Sequence, residues 1–259
     1  MDDRTFNVVD ETDGWIVVDK PPFLLVHPKK PGGPKTLWDG LRGLLAFELA
    51  NGGQVSIINR LDRETSGLVL VCKTSAAARR FHTAMSRRAV EKEYLAIVWG
   101  WPEREEFTVT APILRQGERL ATAIYLKRCV HPEGAGAVTR FRVEKRFEKT
   151  TSAGNRFAVV RAFPETGRTH QIRVHLAHAG HPIVGDKIYG PEEQCYLEFI
   201  ETGWTPSLES RLLLPRHALH STRLRVETAQ DGALEWNAPL AQDLMAWMGW
   251  GVNKGTHPL

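Results

Sequence analysis

Short runs of strand-type residues recur along this chain and constrain its fold more than any other feature. Each run is three to ten residues of apolar or alternating character and ends in turn-forming residues, which is typical of β-strands. Helical patterns are fewer and cover residues 36–50, 75–87 (with Ser75 as the predicted cap), 169–179 and 239–248. Because strands outnumber helices and most connections are short, we predict an α+β fold on a large, mostly antiparallel mixed sheet with flanking helices. The predicted strands are residues 15–19, 55–58, 68–72, 94–99, 107–113, 121–126, 138–147, 156–163, 219–227 and 234–236.

The chain of 259 residues is long enough for a sizeable core, and no convincing linker interrupts the pattern. We therefore predict one domain with a split core over residues 15–250, preceded by a lead-in at 1–14 and followed by a tail at 251–259. No run of 18 apolar residues could span a membrane, and the N-terminus lacks the basic start and apolar stretch of a signal peptide.

The three cysteines lie far apart and form no CxxC motif, which argues against a disulfide scaffold and against a cysteine zinc site. Sparse, unpaired cysteine use fits a reducing compartment, so a cytoplasmic location is expected. The cysteines are Cys72, Cys129 and Cys195.

The net charge of +4 is mild, but the basic residues are clustered. Residues 76–92 hold five basic side chains against Glu91, and residues 156–181 hold four arginines and four histidines against Glu165. Clustered arginine suits phosphate contact because its planar fork pairs with phosphate oxygens. A solvated surface face explains either cluster equally well, so charge alone leaves both interpretations open.

The polar segment Asn59–Gly67 is the most unusual stretch, because predicted strands flank it on both sides. It carries two carboxylates, two arginines and two hydroxyl groups, and a loop held between buried strands is a common place for functional residues. Composition alone favours a salt-bridged surface turn closed by Gly67.

The order of residues in this segment changes that interpretation. The sequence RLDRETSGLVLV resembles the HRLDxxTSG signature of the RluA-type pseudouridine synthase family. Further segments resemble that family's motifs in the same order and together span about residues 15–226. They are VVDKP at 17–21, VHP at 26–28, KEYLA at 92–96, GRTHQIRVHL at 167–176, IVGDKIYG at 183–190 and LH at 219–220.

The resemblance implies a pseudouridine-synthase-like domain with a central RNA-binding cleft, and it implies roles for single residues. Asp62 takes the position of the catalytic nucleophile, Tyr94 lies against the uracil and helps to remove the C5 proton, and Arg173 is the cationic partner of Asp62. Burial alone would raise the pKa of such a carboxylate, so a bidentate arginine would keep it ionised and oriented. A phosphate contact is the alternative role for Arg173.

The same resemblance assigns further residues to substrate binding. Arg60 is expected to enter the RNA where the base leaves, although a salt bridge to Asp62 or Glu64 is the alternative. The other predicted substrate-binding residues are Arg168, His170, Gln171 and Leu219.

Two positions depart from the family pattern. Asn59 stands where the family usually has histidine, and Phe23 replaces the usual glycine after the first prolines. Asparagine hydrogen-bonds through its amide but carries no charge, which puts in doubt any proton or phosphate contact made by that histidine. The family often has an N-terminal S4 domain for which this sequence has no room, so the catalytic domain itself is expected to hold the RNA.

The expected reaction breaks the N1–C1′ bond of uridine, turns the base and joins C5 to C1′. It requires no redox chemistry and no metal, and we predict no cofactor. Four histidines at 170, 175, 178 and 181 are spaced like possible ligands, but no HExxH occurs and no cysteine is near them. Asp62 could attack C1′, attack C6 or remove a sugar proton, and the sequence leaves these three routes open.

We therefore predict an RNA pseudouridine synthase that acts on stem-loops of ribosomal RNA, transfer RNA or both, as a monomer without an obligate protein partner. Two other classes remain in view. An RNA-binding or RNA-folding protein of the same fold would not need the intact set Asp62, Tyr94 and Arg173. A glycosidic-bond hydrolase would need a second acid across the bond, and Glu64 is too close in sequence to fill that role with assurance.

Overall fold

The computed structural model describes residues 6–28, 30 and 32–250, so the predicted tail at 251–259 lies outside the described residues. The strands are β1 (Asn7–Glu11), β2 (Trp15–Lys20), β3 (Ser56–Ile57), β4 (Ser66–Cys72), β5 (Val90–Trp99), β6 (Glu106–Thr110), β7 (Ile113–Arg115), β8 (Arg128–Val130), β9 (Val138–Glu148), β10 (Arg156–Pro164), β11 (Leu219–Thr228) and β12 (Gly232–Asn237). The helices are α1 (Leu37–Leu44), α2 (Ala46–Ala50), α3 (Ser75–Ser86), α4 (Gln171–His178), α5 (Gln194–Thr202), α6 (Pro206–Leu212) and α7 (Gln242–Met248).

The chain forms two compact units, each discontinuous in sequence. Of the described residues, those up to 92 and those at 220–241 form unit 1, and those at 93–219 and from 242 onward form unit 2. Strands β5 and β11 carry the chain from one unit to the other. Among the residues that the structure describes, no helix has the length and apolar character needed to cross a bilayer.

Strand β4 is the centre of unit 1, and every one of its residues is buried. It pairs with β2 on one side, and on the other side with β3 at one end and β11 at the other. Its pairing with β11 is parallel, whereas β1 with β2 and β11 with β12 are antiparallel. Because successive side chains point to opposite faces of the sheet, burial of every residue means that both faces are covered here, which explains the continuous apolar run LVLVC.

Gly67 allows β11 to approach β4 closely. Its φ is +110°, and a Cβ at this position would lie 2.2 Å from the backbone oxygen of Ser221. Only glycine fits such a crossing without a shift of the backbone. The glycine of the TSG sequence therefore serves the junction between β4 and β11.

Helix α3 covers one face of the unit 1 sheet. Thr74 caps the helix by accepting from the backbone N–H of Ala77, so Thr74 and not the predicted Ser75 is the cap. Phe81 is fully buried in the resulting core, which also contains Leu68 and Leu70 of β4. Trp15 and Trp236 meet edge to face at the margin of this cluster, with ring centroids 5.0 Å apart.

Unit 2 contains the antiparallel strand order β5-β10-β9-β6 and a separate two-stranded β7-β8 ribbon. Buried and exposed residues alternate along the first half of β9, as the sequence pattern predicts for a strand with one solvated face. The segment at Ile183–Val184 lies beside β5, since Val184 N–H donates to the Ile97 carbonyl. The predicted α+β class with mostly antiparallel pairing is confirmed.

Further local predictions are wrong in detail, and the helix predicted at 239–248 begins only at Gln242. Residues 121–126 form no strand, because the Thr122 hydroxyl accepts from Ile124 N–H and holds a turn instead. The predicted strand at 107–113 divides into β6 and β7 around Pro112, which has no N–H to donate. The predicted helix at 36–50 divides at Leu45, and the one at 169–179 begins only at Gln171. Strands β1 and β8 and helices α5 and α6 were not predicted.

Candidate active site

The Asp62 loop of unit 1 is tied to its surroundings by backbone and side-chain hydrogen bonds. Asp62 is half-buried, and its carbonyl accepts from the Thr65 N–H at 3.2 Å, which closes a tight turn. Arg60 and Arg63 on either side are exposed. Asp62 thus projects from a short, fixed turn between β3 and β4, where solvent still reaches it.

Asn59 holds the start of this loop against β4. Its Nδ2 donates to the Leu68 carbonyl at 3.0 Å, and its Oδ1 accepts from the Leu70 N–H at 2.8 Å. The amide therefore pairs with β4 much as a neighbouring peptide group would. A neutral amide suits this buried position because it supplies one donor and one acceptor without bringing in a charge.

Lys20 fastens the other side of the loop to the DKP segment. Its side chain is fully buried, and Nζ donates to the carbonyls of Pro21, Leu24 and Arg63 at 2.8, 3.0 and 3.3 Å. A buried ammonium group needs such partners to offset the loss of hydration. The lysine of the opening motif thus links the chain at 20–24 to the residue that follows Asp62.

Ser66 and His220 connect the end of the loop to β11. Ser66 Oγ lies 2.8 Å from His220 Nδ1, and both side chains are buried. The two residues are also paired in the parallel register of β4 and β11. The LH motif therefore places His220 in hydrogen-bonding contact with the serine of the TSG sequence, within unit 1.

In unit 2, the loop after β10 is organised by Gln171. Gln171 Oε1 accepts from the Thr166 hydroxyl at 2.7 Å and from the Arg168 N–H at 3.0 Å. Its Nε2 donates to the Val138 carbonyl and to Thr139 Oγ1, each at 2.9 Å. Gln171 is buried with these four partners, so its observed contacts shape the loop, while Arg168 is exposed on it.

His170 occupies the residue before α4 in a left-handed conformation, with φ of 59°. Few non-glycine residues adopt this region, and an outlier here is a reason to examine function. His170 Nδ1 lies 2.8 Å from the hydroxyl of Tyr189, which also accepts from the Arg128 N–H at 2.9 Å. The ring of His170 is thereby oriented by the GDKIYG segment.

Arg173 on the first turn of α4 is buried and forms a bidentate ion pair with Asp186. Its Nε lies 2.7 Å from Oδ2, and its Nη2 lies 2.9 Å from Oδ1. The guanidinium beside the fully buried Asp186 holds the pKa of that carboxyl well below its usual range, against the opposing effect of burial. This partner was not foreseen, because GDKIYG was matched as a motif without a role.

Tyr94 lies on β5, buried, and is paired with Ala162 near the end of β10. Tyr94 therefore lies on the neighbouring strand, opposite the last residues of β10, and the GRTHQIR loop begins just after that strand end.

Leu219 is buried at the start of β11, and its carbonyl accepts from the Nη1 of Arg216 at 3.3 Å. Arg216 is in turn held by a bidentate pair with Asp243 of α7, at 2.7 and 2.9 Å.

Three of the four clustered histidines have hydrogen-bond roles. His170 contacts Tyr189, His181 Nδ1 lies 3.1 Å from the Trp99 carbonyl, and His175 lies between Thr139 Oγ1 at 2.9 Å and the Ala111 carbonyl at 3.0 Å. Burial lowers the pKa of His175, although the Ala111 carbonyl opposes this. Within the described part of the chain, no group of three or more potential ligands is arranged to hold a metal ion.

The structure thus groups the predicted residues within each unit. Unit 1 carries Asp62 and Arg60 on one loop, and unit 2 carries the GRTHQIR residues next to the GDKIYG segment. The pairing of Asp62 with Arg173 and the roles of Tyr94 and Leu219 stay predictions. Sequence analysis missed the roles of Asn59, Lys20, Asp186 and Tyr189, although each lies in or beside a recognised motif.

Comparisons with known proteins are consistent with these motifs. A family model described as RNA pseudouridylate synthase matches residues 14–178. The ribosomal large subunit pseudouridine synthase D of Salmonella typhimurium strain LT2 is 35% identical over 250 residues, which cover 94% of this chain and 69% of that protein. The Pseudomonas aeruginosa PAO1 protein of the same name is 34% identical over 253 residues, covering 95% and 71%.

Solved structures show the same similarity. Human RNA Pseudouridylate Synthase Domain Containing 1 superposes with a TM-score of 0.68 at 26% identity, covering 93% of this chain and 87% of that chain. Human RNA Pseudouridylate Synthase Domain Containing 4 has a TM-score of 0.71 at 23% identity, which supports the fold.

Proposed function

The chain belongs to the RNA pseudouridylate synthase family and is an RNA pseudouridine synthase, and from that premise we propose that Asp62 is its catalytic carboxylate and large-subunit ribosomal RNA its substrate. The observation that carries this proposal is the loop that presents Asp62. Asn59, Lys20 and the Thr65 turn fix the loop, while the carboxylate stays partly accessible. The choice of RNA follows the two bacterial relatives, each a ribosomal large subunit pseudouridine synthase by name, that align with almost the whole chain.

In the proposed reaction, Asp62 assists cleavage of the N1–C1′ bond, the uracil turns, and C5 forms the new bond to C1′. The C5 proton is lost and N1 gains a proton, so the reaction is an isomerisation with no change in oxidation state. A carboxylate is required whether it attacks C1′, attacks C6 or removes a sugar proton. The fixed turn restricts the directions in which Asp62 can approach, which is how positioning accelerates a reaction.

The remaining roles in this proposal follow the family resemblance. Tyr94 stacks on the extruded uracil, where an aromatic ring restores about 1–3 kcal/mol of the lost stacking, and its hydroxyl helps to take the C5 proton. Arg173 holds Asp62 ionised and oriented. Arg60, Arg168, His170, Gln171 and Leu219 bind the RNA, with Gln171 acting through the loop that its hydrogen bonds shape.

The enzyme is proposed to act as a cytoplasmic monomer on RNA stem-loops. No cofactor enters this proposal, since the steps only transfer protons and make or break bonds from carbon to nitrogen, to carbon or, where Asp62 attacks, to its carboxylate oxygen, with no net change in oxidation state. A second protein is not required for any of the assigned roles.

Replacing Asp62 with asparagine tests the proposal. Asp62→Asn should keep the fold and RNA binding but abolish tritium release from large-subunit RNA labelled at C5 of uridine, because the amide keeps the shape and loses the charge. Glu64→Gln is the matched control, since it neutralises the neighbouring half-buried carboxylate on the same loop, and its rate should stay within a few-fold of wild type. Activity of Asp62→Asn within tenfold of wild type would end the assignment.

The products and the RNA identity separate the remaining functions. Nucleoside analysis should find pseudouridine, whereas a hydrolase would release free uracil and a folding protein would give neither. Sequencing of total RNA from a deletion strain, after chemical marking of pseudouridine, should show a lost site in large-subunit ribosomal RNA. A loss confined to transfer RNA would overturn the substrate assignment but not that of Asp62.

A further inference from the structure

The GDKIYG segment at 185–190 has no part in the proposed chemistry, yet it touches two residues that do. We propose that Asp186 and Tyr189 are positioning residues, which hold Arg173 and His170 in the orientations those side chains need to act on the RNA. The inference rests on the proposed roles of Arg173 and His170. All of these residues belong to unit 2.

The carboxylate of Asp186 is held in place by backbone hydrogen bonds that do not involve Arg173. Its Oδ1 accepts from the backbone N–H groups of Ile188 and Tyr189 at 3.0 and 3.1 Å, in addition to the Arg173 Nη2. Gly185 precedes it with φ of +78°, where a Cβ would lie 1.9 Å from the Arg216 carbonyl, so the turn is anchored to the neighbouring chain. The carboxylate therefore offers Arg173 a rigid two-point support along its Nε–Nη2 edge.

A support of this kind sets the plane of the guanidinium. Two parallel N–H···O bonds to a carboxylate that cannot turn leave the arginine fork little freedom, and the other edge of the fork then has a fixed direction. The Tyr189 ring adds a second constraint, because its centroid lies 5.0 Å from the Arg173 Cζ. Arg173 is thus held both along one edge and against an aromatic ring.

Tyr189 also sets the orientation and proton position of His170. With the Arg128 N–H donating to the Tyr189 oxygen, the hydroxyl hydrogen is directed to His170 Nδ1 in the arrangement that we propose. A neutral His170 then carries its proton on Nε2 and presents a donor there. The left-handed backbone at His170 is the local cost of aiming the ring in this direction.

A double-mutant cycle tests the Tyr189 part of the proposal. Tyr189→Phe keeps the ring beside Arg173 and removes the hydroxyl, and it should slow single-turnover formation of pseudouridine in transcribed large-subunit RNA by about 10-fold, the effect of about one lost hydrogen bond. In a His170→Ala background the same change should have no further effect. Tyr196→Phe, an equivalent change at a partly buried tyrosine that packs against the apolar cluster containing Tyr189, should leave the rate unchanged.

The Asp186 part is tested against Arg173. Asp186→Asn should slow the single-turnover step by ~100-fold at saturating enzyme. The substitution loosens the orientation of Arg173, and a misplaced reacting or positioning group can lower a rate by about that factor. In an Arg173→Met background the same change should cost no further rate, and the double variant should be at least as stable to urea as Arg173→Met, since it no longer buries an unpaired charge. The dissociation constant for the same RNA, measured in parallel, separates positioning from simple RNA binding.

The outcomes distinguish this inference from the proposed function. If Tyr189→Phe and Asp186→Asn lower the rate equally in the wild-type and in the His170→Ala or Arg173→Met backgrounds, the two residues act on the fold and the positioning role is wrong. Unchanged rates in both single variants would overturn it as well. If Asp62→Asn remains active, the proposed function fails independently of either result.

Discussion

At the residue scale, Asn59 shows how a departure from a family motif can be structural. The amide joins the loop of Asp62 to β4 through one donated and one accepted hydrogen bond, both buried. The sequence alone raised the question of a missing proton or phosphate contact. In the structure this side chain hydrogen-bonds to the backbone of β4.

Removing this amide should therefore weaken the fold around Asp62. Asn59→Ala leaves the Leu68 carbonyl and the Leu70 N–H without their side-chain partner, and about 2 kcal/mol of unfolding free energy should be lost. Asn59→Asp should be worse, because a carboxylate cannot donate to the Leu68 carbonyl. Urea unfolding of both variants measures this, and two variants as stable as wild type would contradict the structural role.

The second prediction at this scale concerns the shape of the cation at position 173. Arg173→Lys keeps a positive charge but loses the planar fork that pairs with Asp186, so turnover should fall by ~100-fold. Arg173→Met should do worse, because the proposed partner Asp62 would lose its cation and tend to take a proton. Its activity should then recover in part as the pH rises, and that of Arg173→Lys should recover less.

Rates from pH 6 to 9, with RNA binding measured alongside, check this prediction. Arg173→Met also leaves Asp186 buried without its cation, so its unfolding free energy must be followed at each pH. If the variant merely raises the RNA dissociation constant and turns over bound RNA normally, Arg173 is a phosphate contact.

Asp62, Tyr94 and Arg173 could be chosen as candidate site residues because each lies in a short motif that keeps its order along the chain. The partners of Arg173 could not be predicted in the same way. Asp186 is thirteen residues further on and after the end of α4, and its contact depends on how the turn at Gly185 folds back. A motif match identifies the residue but does not supply the hydrogen bonds that orient it.

At the element scale, helix α3 carries the first basic cluster, and the structure divides its arginines into two kinds. Arg79 is exposed, as are Arg87 and Arg88 just after the helix. Arg80 is instead half-buried, with its Nε 2.9 Å from Asp231 and its Nη1 2.7 Å from Gln230 Oε1. Only the first three are placed to contact phosphates.

We expect the exposed arginines to contribute to RNA affinity by a similar amount whatever the base sequence of the RNA. Replacing Arg79 and Arg87 with glutamine should weaken binding at low salt and reduce the slope of log K against log salt by ~0.7–0.9 for each lost phosphate contact. Arg80→Gln is the control, and it should lower stability rather than the salt slope. Unchanged binding of the double variant at low salt would identify the cluster as a solvated face.

Strands and helices could be predicted where the periodicity of apolar residues determines the local structure. They could not be predicted where a side-chain hydrogen bond stabilises a different backbone conformation. The strands that form β2, β4, β9 and β10 follow from apolar runs or alternation. Residues 121–126 carry the same signal, but the Thr122 hydroxyl bonds to the Ile124 N–H and to Glu193, and the segment turns. That Glu193 lies 71 positions away along the chain, beyond the reach of any local pattern.

At the scale of the whole molecule, the pairing of distant segments determines how the chain divides. Unit 1 gains its last strands from residues 220–241, and the contact between Ser66 and His220 joins positions 154 residues apart. Local composition shows no boundary at 92 or 219, because β5 and β11 each continue through it. The sequence therefore has no linker-like segment at either of these unit boundaries.

The dependence of stability on pH is the prediction that belongs to this scale. His175 is buried in unit 2 between Thr139 and the Ala111 carbonyl, and burial lowers its pKa in the folded state. The unfolded chain therefore takes up this proton at a higher pH than the folded chain does. The stability contributed by neutral His175 is fully present above about pH 6.5 and is lost as the pH falls toward the lowered pKa.

Urea unfolding at pH 7.5 and 5.5 measures this contribution. Wild type should lose stability over the interval with a slope of at most about 1.4 kcal/mol per pH unit for one proton, and His175→Gln should show a smaller slope because it cannot be protonated. The lowered carboxyl pKa of Asp186 acts in the same direction only below about pH 4, outside the interval. His82→Gln is the control, since it removes an exposed histidine of α3, and an equal loss of slope in both variants would contradict the assignment to His175.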